Sequence, residues 1–220
     1  MIRISHVTIT KYLTNFKPAS FRDIIIHIRL LPMKPKIFAV LGADRVGKST
    51  FIEASYRTIS DFNPKVAKLH FSGPKPEHNT PIDQYIFPLN KLLKEEKPEY
   101  VLCDRGFSEV CFYEKFRRNI VISDEWAVAA ESYFKAISSE IHIIMIQRPW
   151  EWSHPKHIQE INELYPDASN YFKRNQLLVR EKEHIEYYTY MLNYLKNVST
   201  LPYKVIQPVI GQSVLDYILV

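Results

Sequence analysis

The sequence predicts an α/β protein built on a five-stranded parallel sheet with helices on both faces. Two observations lead to this fold class. Short apolar runs alternate with longer stretches of helical periodicity through residues 36–220, which is the order expected of a parallel sheet wrapped by helices. The apolar runs also contain few polar residues, as strands that are covered on both faces do. A chain of 220 residues is long enough for one such domain.

Predicted strands and helices follow each other in a regular order. The first strand, KIFAVL, is apolar after Lys36, and a helix is expected from Lys48 to about Ser60. The remaining strands are expected at residues 65–71, 99–104, 140–146 and 203–210. The remaining helices are expected at residues 82–93, 107–118, 124–137 and 170–196, with a short helix after the last strand. Pro88 is expected to bend or break the second helix, because proline lacks the backbone donor.

Two segments differ from this pattern. Residues 1–35 have strand-like alternation and end in a pair of prolines, so they are expected to form a basic N-terminal arm on a core domain of residues 36–220. The core could also begin at Met33. Residues 148–170 form a long polar segment that carries histidine and lysine.

Composition limits the classes of function. The formal net charge of +5 and a pI near 9.0 fit either a somewhat basic surface or an anionic partner, namely a nucleotide or a nucleic acid. The longest apolar runs are too short to span a bilayer, and the N-terminus lacks a signal-peptide pattern, so a cytoplasmic protein without a membrane partner is expected. Cys103 and Cys111 are expected to be reduced thiols.

A glycine-rich motif lies between the first strand and the first helix. The segment GADRVGKS, residues 42–49, has the spacing of a phosphate-binding loop in the required strand–loop–helix context. Its glycines let backbone N–H groups point at phosphate oxygens, Lys48 is expected to reach the β- and γ-phosphates, and the Ser49 hydroxyl is expected to bind Mg²⁺. A chance match in a glycine-containing turn is the alternative. The residues expected to bind ATP are Gly42, Val46, Gly47, Lys48, Ser49 and Thr50.

A second charged element ends the third predicted strand. Asp104 is a candidate for holding Mg²⁺ or its water shell, although a strand-ending aspartate can also cap the next turn. Arg105 follows at the sheet edge where ligands bind, and its planar guanidinium suits a phosphate group. A structural ion pair with a nearby carboxylate is the alternative for this arginine.

These residues resemble the thymidylate kinase branch of the P-loop nucleotide kinases. Eukaryotic and viral thymidylate kinases share the Asp-Arg pair that stands here as Asp44-Arg45, and CDRGFSEVCFY resembles the family's Asp-Arg-Tyr segment. LHFSGPK resembles a degraded Phe-Pro-x-Arg element. The resemblance spans residues 36–209 and implies a P-loop kinase fold, Mg²⁺ and ATP as cofactors and, since such proteins are often dimers, a homodimer.

The resemblance also implies roles for individual residues. Asp44 would contact the sugar of the phosphoryl acceptor, and Arg45 would contact the transferring phosphoryl group. Arg105 would hold the acceptor's phosphate. Phe71 and Lys75 would lie at the acceptor site. The polar segment of residues 148–170 would be the lid over ATP, and Arg148, its first residue, would bind ATP. The predicted helix at residues 82–93 lacks the arginine with which the family helps to hold thymine and its phosphate.

Three functions remain open from the sequence. The first is a deoxynucleoside monophosphate kinase that makes a nucleoside diphosphate from a small nucleotide acceptor. The second is a kinase that phosphorylates a hydroxyl of a deoxynucleoside or of a hydroxymethylated base in DNA, with Asp44, Glu77 or Asp104 as the base. The third is a P-loop ATPase or nucleotide-dependent binding module.

Overall fold

The computed structural model describes residues 34–71 and 81–218. The predicted N-terminal arm before Lys34 lies outside the described residues, and so does the segment that contains Lys75 and Glu77. The structure contains a five-stranded sheet of strands β1 (Lys36–Leu41), β2 (Val66–His70), β3 (Tyr100–Asp104), β4 (Glu140–Ile146) and β5 (Tyr203–Ile206). The helices are α1 (Lys48–Ser60), α2 (Pro81–Glu95), α3 (Phe107–Arg118), α4 (Asp124–Ile137), α5 (Trp150–Leu164) and α6 (Asn170–Asn197), and a 3₁₀ turn (Val214–Tyr217) follows β5.

All strands pair in parallel in the order β2-β3-β1-β4-β5. The first strand is therefore central, and the chain adds strands on one side of it before it crosses to the other. This reversal makes the carboxyl end of β1 a topological switch point, which is where ligands bind in open α/β sheets. The predicted fold class, a five-stranded parallel sheet with helices around it, is confirmed.

The central strands form the core because almost every side chain on them is apolar. β1 is buried from Ile37 to its end, and its exposed residue is the first one, Lys36. The four C-terminal residues of β4 are also buried. Helix α1 packs against β1, β2 and β3, and α4 packs against β4. Burial of such side chains contributes about 1.5–3 kcal/mol each, and this rigid floor fixes the loops at the carboxyl edge.

Three elements differ from the sequence expectations. Helix α2 runs through Pro88 without ending there. Strand β5 stops at Ile206, two residues before Pro208, because proline cannot donate to the ladder. The third difference is that a 15-residue helix, α5, forms within residues 148–170, where no helix was expected. No helix in the described part of the chain has both the length and the apolar character needed to cross a membrane.

Candidate active site

The sheet register brings the predicted site residues together. Val40 of β1 is paired with Asp104 of β3, and His70 of β2 is paired with the same aspartate. The phosphate loop leaves β1 one residue after Leu41, so it begins beside the turn that carries Asp104 and Arg105. Residues more than 50 positions apart in the sequence thus meet at one edge of the sheet.

The backbone of the loop explains its two glycines. Gly47 has a φ of 98°, in the left-handed region that glycine adopts at no steric cost, and it directly precedes α1. At Gly42 a Cβ atom would lie 2.9 Å from both the Ile146 carbonyl oxygen and Val46 Cγ2. The loop can therefore turn tightly against β4 only with glycine at its first position. Its N–H groups and the N-terminus of α1 form an anion-binding environment.

Lys48 lies inside the curve of the loop. Its side chain is buried, and Nζ donates hydrogen bonds to the carbonyl oxygens of Gly42 at 2.6 Å and Ala43 at 2.9 Å. These contacts hold the ammonium group at the loop, where a lysine can reach the β- and γ-phosphates of a bound nucleotide.

Ser49 and Asp104 form an oxygen pair beside the loop. The Ser49 hydroxyl donates to Asp104 Oδ2 over 3.2 Å. The other carboxylate oxygen of Asp104, Oδ1, is buried and has no hydrogen-bond partner among the described residues. Hydroxyl and carboxylate oxygens are the ligands that Mg²⁺ prefers, so the residues present fit this ion. His70 Nδ1 lies 3.0 Å from Asp104 Oδ2 and was not among the residues expected here.

Asp44 sits between two arginines. Its carboxylate oxygens pair with Arg105 at 3.1 Å and with Arg117 of α3 at 2.7 Å. Both guanidinium groups also lie over the ring of Tyr113, at 4.9 and 4.5 Å from its centroid. Burial alone would raise the pKa of Asp44, but the positive charges of Lys48, Arg105 and Arg117 outweigh it and hold that pKa well below its usual value. The carboxylate that was expected to contact the acceptor's sugar is thus already bound within the protein.

Arg45 connects the loop to helix α5. Its guanidinium makes two contacts with the Glu160 carboxylate, at 2.6 and 3.2 Å, and Lys156 donates to its backbone carbonyl. Arg45 and Arg105 have φ values of 66° and 84°, a left-handed conformation that non-glycine residues adopt at a cost of about 1 kcal/mol. Strained residues of this kind cluster at functional sites, and here both are arginines expected to contact phosphate.

These side chains surround an open cavity of about 440 Å³. Its walls come from the phosphate loop, the start of α1, the carboxyl ends of β2 and β3, and α5. The lining residues are Asp44, Arg45, Gly47, Lys48, Ser49, Thr50, His70, Asp104, Arg105, Lys156 and Glu160.

Other predicted residues lie away from this cavity. Phe71 is 1% exposed, its ring lies 6.1 Å from that of Phe107, and it is not among the residues that line the cavity in the described part of the chain. Arg148 is held against the Pro208 carbonyl and lies 4.2 Å from the Trp152 ring, and it is absent from the cavity lining within the described residues. Gly42 and Val46 belong to the loop but are not among the residues that line the cavity, and Val46 is 2% exposed.

Comparisons with known proteins give little beyond the fold. No protein-family model matches the sequence, and no curated protein matches it. Among solved structures, the chain is similar to polyphosphate kinase 2 from Arthrobacter aurescens TC1, with a TM-score of 0.46 and 16% identity over 86% of this chain and 70% of that chain. It is also similar to a fungal RNA kinase, with a TM-score of 0.41 and 14% identity over 84% of this chain and 80% of that chain. Likenesses at this level carry no argument about chemistry, and the resemblance to thymidylate kinase is not shown by them.

Proposed function

We propose that this chain is an ATP-dependent phosphotransferase. The observation that supports the proposal most directly is the contact between Ser49 and Asp104 beside Lys48. Two oxygen groups suited to Mg²⁺ and one ammonium suited to phosphate converge where a glycine loop opens a helix. A bound Mg²⁺ would neutralise charge on the β- and γ-phosphates and would be held by Ser49 and Asp104.

The residues of the chain supply positioning and charge. The loop N–H groups and Lys48 would orient the polyphosphate of ATP. Arg45 and Arg105 line the same cavity, so they can neutralise the oxygens of the phosphoryl group in transit and of the acceptor. Arg45 is bound to Glu160 of α5, so it would release that carboxylate when it binds phosphate oxygens. Release of Glu160 would allow α5 to move at the mouth of the cavity.

For the acceptor we propose a deoxynucleoside monophosphate. An acceptor phosphate is already ionised and needs no strong general base, whereas a hydroxyl acceptor does. The structure describes two of the candidate bases, Asp44 and Asp104. Asp44 is bound by two arginines, and its pKa is lowered, so its carboxylate is a poor proton acceptor. Asp104 is the proposed Mg²⁺ ligand. Neither aspartate is thus available as a general base, which favours an acceptor whose attacking oxygen belongs to an ionised phosphate.

The test is a thin-layer assay with γ-labelled ATP and Mg²⁺. Separate reactions would contain dTMP, dUMP, dCMP, thymidine, hydroxymethyluracil-containing DNA or no acceptor. Label in a nucleoside diphosphate supports the proposal, and label in thymidine or DNA would replace the acceptor with a hydroxyl. Release of free phosphate alone would indicate an ATPase or nucleotide-dependent binding module instead.

A further inference from the structure

A buried carboxylate lies behind the phosphate loop. Glu109, in the first turn of α3, is 0% exposed. Its Oε1 accepts hydrogen bonds from the Tyr187 hydroxyl of α6 and, over 3.4 Å, from the Gly42 backbone N–H. Its Oε2 accepts one from the Gly106 backbone N–H at 3.2 Å. One side chain thus joins the phosphate loop, the turn after β3 and helix α6.

Both backbone groups held by Glu109 are adjacent to residues of the candidate site. The Gly42 N–H is also bound by the Tyr187 hydroxyl at 2.8 Å, while the carbonyl of the same glycine accepts from Lys48 Nζ at 2.6 Å. Gly106 directly follows Arg105. If the Glu109 carboxylate moved, Gly42 would move with it and displace Lys48. Gly106 would also move and displace Arg105.

We infer that Glu109 is a positioning residue for phosphoryl transfer, which fixes Lys48 and Arg105 relative to each other with the help of Tyr187. This inference rests on the proposed function. A carboxylate without exposure is costly in a core unless its oxygens are satisfied, and apolar packing of the same volume is usually no less stable. Packing alone therefore does not explain why a carboxylate is buried at position 109. Its hydrogen bonds to the backbone of Gly42 and Gly106 do explain it, if they fix the geometry of the site. Misplacing reacting groups by about 1 Å can lower a rate by roughly 100-fold.

The chain contains a matched control for this pair. Glu131 of α4 is 2% exposed and accepts a hydrogen bond from Tyr194, which lies seven residues after Tyr187 on α6. Its other partners are the Ser199 hydroxyl and the Thr200 N–H, in the loop before β5. Glu131 is therefore buried like Glu109 and also accepts a hydrogen bond from a tyrosine of α6, but within the described residues its hydrogen bonds do not go to the phosphate loop or to the backbone of the turn after β3.

The experiment compares Glu109→Gln with Glu131→Gln, and Tyr187→Phe with Tyr194→Phe. Each full-length variant is assayed for kcat/KM, for Mg-ADP affinity by calorimetry and for Tm. We expect both glutamine variants to lower Tm, but only Glu109→Gln to lower kcat/KM, by at least tenfold, and to weaken Mg-ADP binding by at least threefold. Tyr187→Phe should show the same changes at smaller size, and both control variants should remain within twofold of wild type.

The calorimetric readout separates this inference from the proposed function. If wild type binds Mg-ADP but transfers no phosphoryl group, the proposed function fails. The Mg-ADP affinities of wild type and Glu109→Gln would then still show whether Glu109 holds the loop in its binding geometry. If Glu109→Gln does not fold, Tyr187→Phe decides. The inference is overturned if the Glu109→Gln and Glu131→Gln variants are equal in kcat/KM and affinity, or if Tyr187→Phe matches wild type in both.

Discussion

Replacement of Asp44 by asparagine tests whether this carboxylate stabilises the fold through its ion pairs or acts mainly by contacting the acceptor. In the structure both carboxylate oxygens pair with arginines, at 3.1 Å to Arg105 and 2.7 Å to Arg117, and the side chain is 27% exposed. A charge-assisted hydrogen bond contributes about 1.5–3 kcal/mol when buried, and partial exposure lowers this figure. Because asparagine keeps one oxygen acceptor, we expect Asp44→Asn to reduce the free energy of unfolding by about 2 kcal/mol.

That loss corresponds to a Tm decrease of about 4–8 °C for a domain of this size. The pH dependence follows from the lowered pKa of Asp44. An unfolded aspartate titrates near pH 3.9, so the stability contributed by Asp44 is complete above about pH 5 and is lost as the pH falls further toward its folded pKa. The difference between wild type and Asp44→Asn should therefore be constant from pH 7 to pH 5 and should shrink below pH 4.

Urea unfolding followed by tryptophan fluorescence at several pH values measures this difference. Asp61→Asn, at an exposed position after α1, is the control and should match wild type. If Asp44 instead acts mainly by contacting the acceptor, its asparagine variant will be as stable as wild type and will only raise the acceptor KM. That result would show that the ion pairs of Asp44 with Arg105 and Arg117 do not stabilise the fold.

Three further predictions follow from the same structure. Arg45→Ala should lower kcat more than it raises the KM for ATP, which steady-state kinetics can measure; loss of ATP affinity with unchanged kcat would make Arg45 a ground-state binding residue. A chain that starts at Met33 should fold and phosphorylate a mononucleotide with nearly full activity, and an insoluble product would show that the preceding residues complete the core. Burial raises the pKa of both the Cys103 and Cys111 thiols, the latter to about 12, so neither should react with a thiol reagent at pH 8 until the protein is unfolded; rapid labelling of native protein would contradict this.

Much of the fold could be predicted because its signals are local. The helix at residues 107–118 and the strand at residues 140–146 have the bounds that the sequence predicts. The motif of residues 42–49 could be found in the sequence because it is contained in eight consecutive residues. Strand order was not predicted, because it depends on pairings between distant segments.

Helix α5 was missed for an identifiable reason. Its buried positions are Ser153, His157 and Ile161, which have helical spacing but include only one apolar residue. Pro149 precedes the helix and Pro155 lies in its first two turns. From the sequence the segment was described only as polar, because it lacks an apolar stripe. The helix is instead supported by packing against α6 and by the ion pair between Glu160 and the phosphate loop.

The remaining site contacts depend on long-range geometry. Arg117 reaches Asp44 across 73 positions of sequence, and Tyr187 reaches Gly42 across 145. Nothing near these residues in the sequence distinguishes an arginine or a tyrosine that contacts residues 42–49 from a surface arginine or a core tyrosine. Glu109 was missed because a glutamate in a helix normally faces solvent, and the burial of the whole first half of α3 is visible only in the folded chain.

We propose that the loop around Lys48 holds Mg-ATP for phosphoryl transfer, and the Lys48→Ala variant removes the ammonium group on which this role depends. Calorimetric titration with Mg-ATP would be combined with the labelled-ATP assay on wild type and variant, with Lys65→Ala as a control at an exposed lysine away from the cavity. We expect wild type and Lys65→Ala to bind one Mg-ATP and to transfer label, and Lys48→Ala to remain folded but to lose transfer. Wild-type turnover by the Lys48→Ala variant, or a wild-type protein that binds no Mg-ATP, would contradict the account.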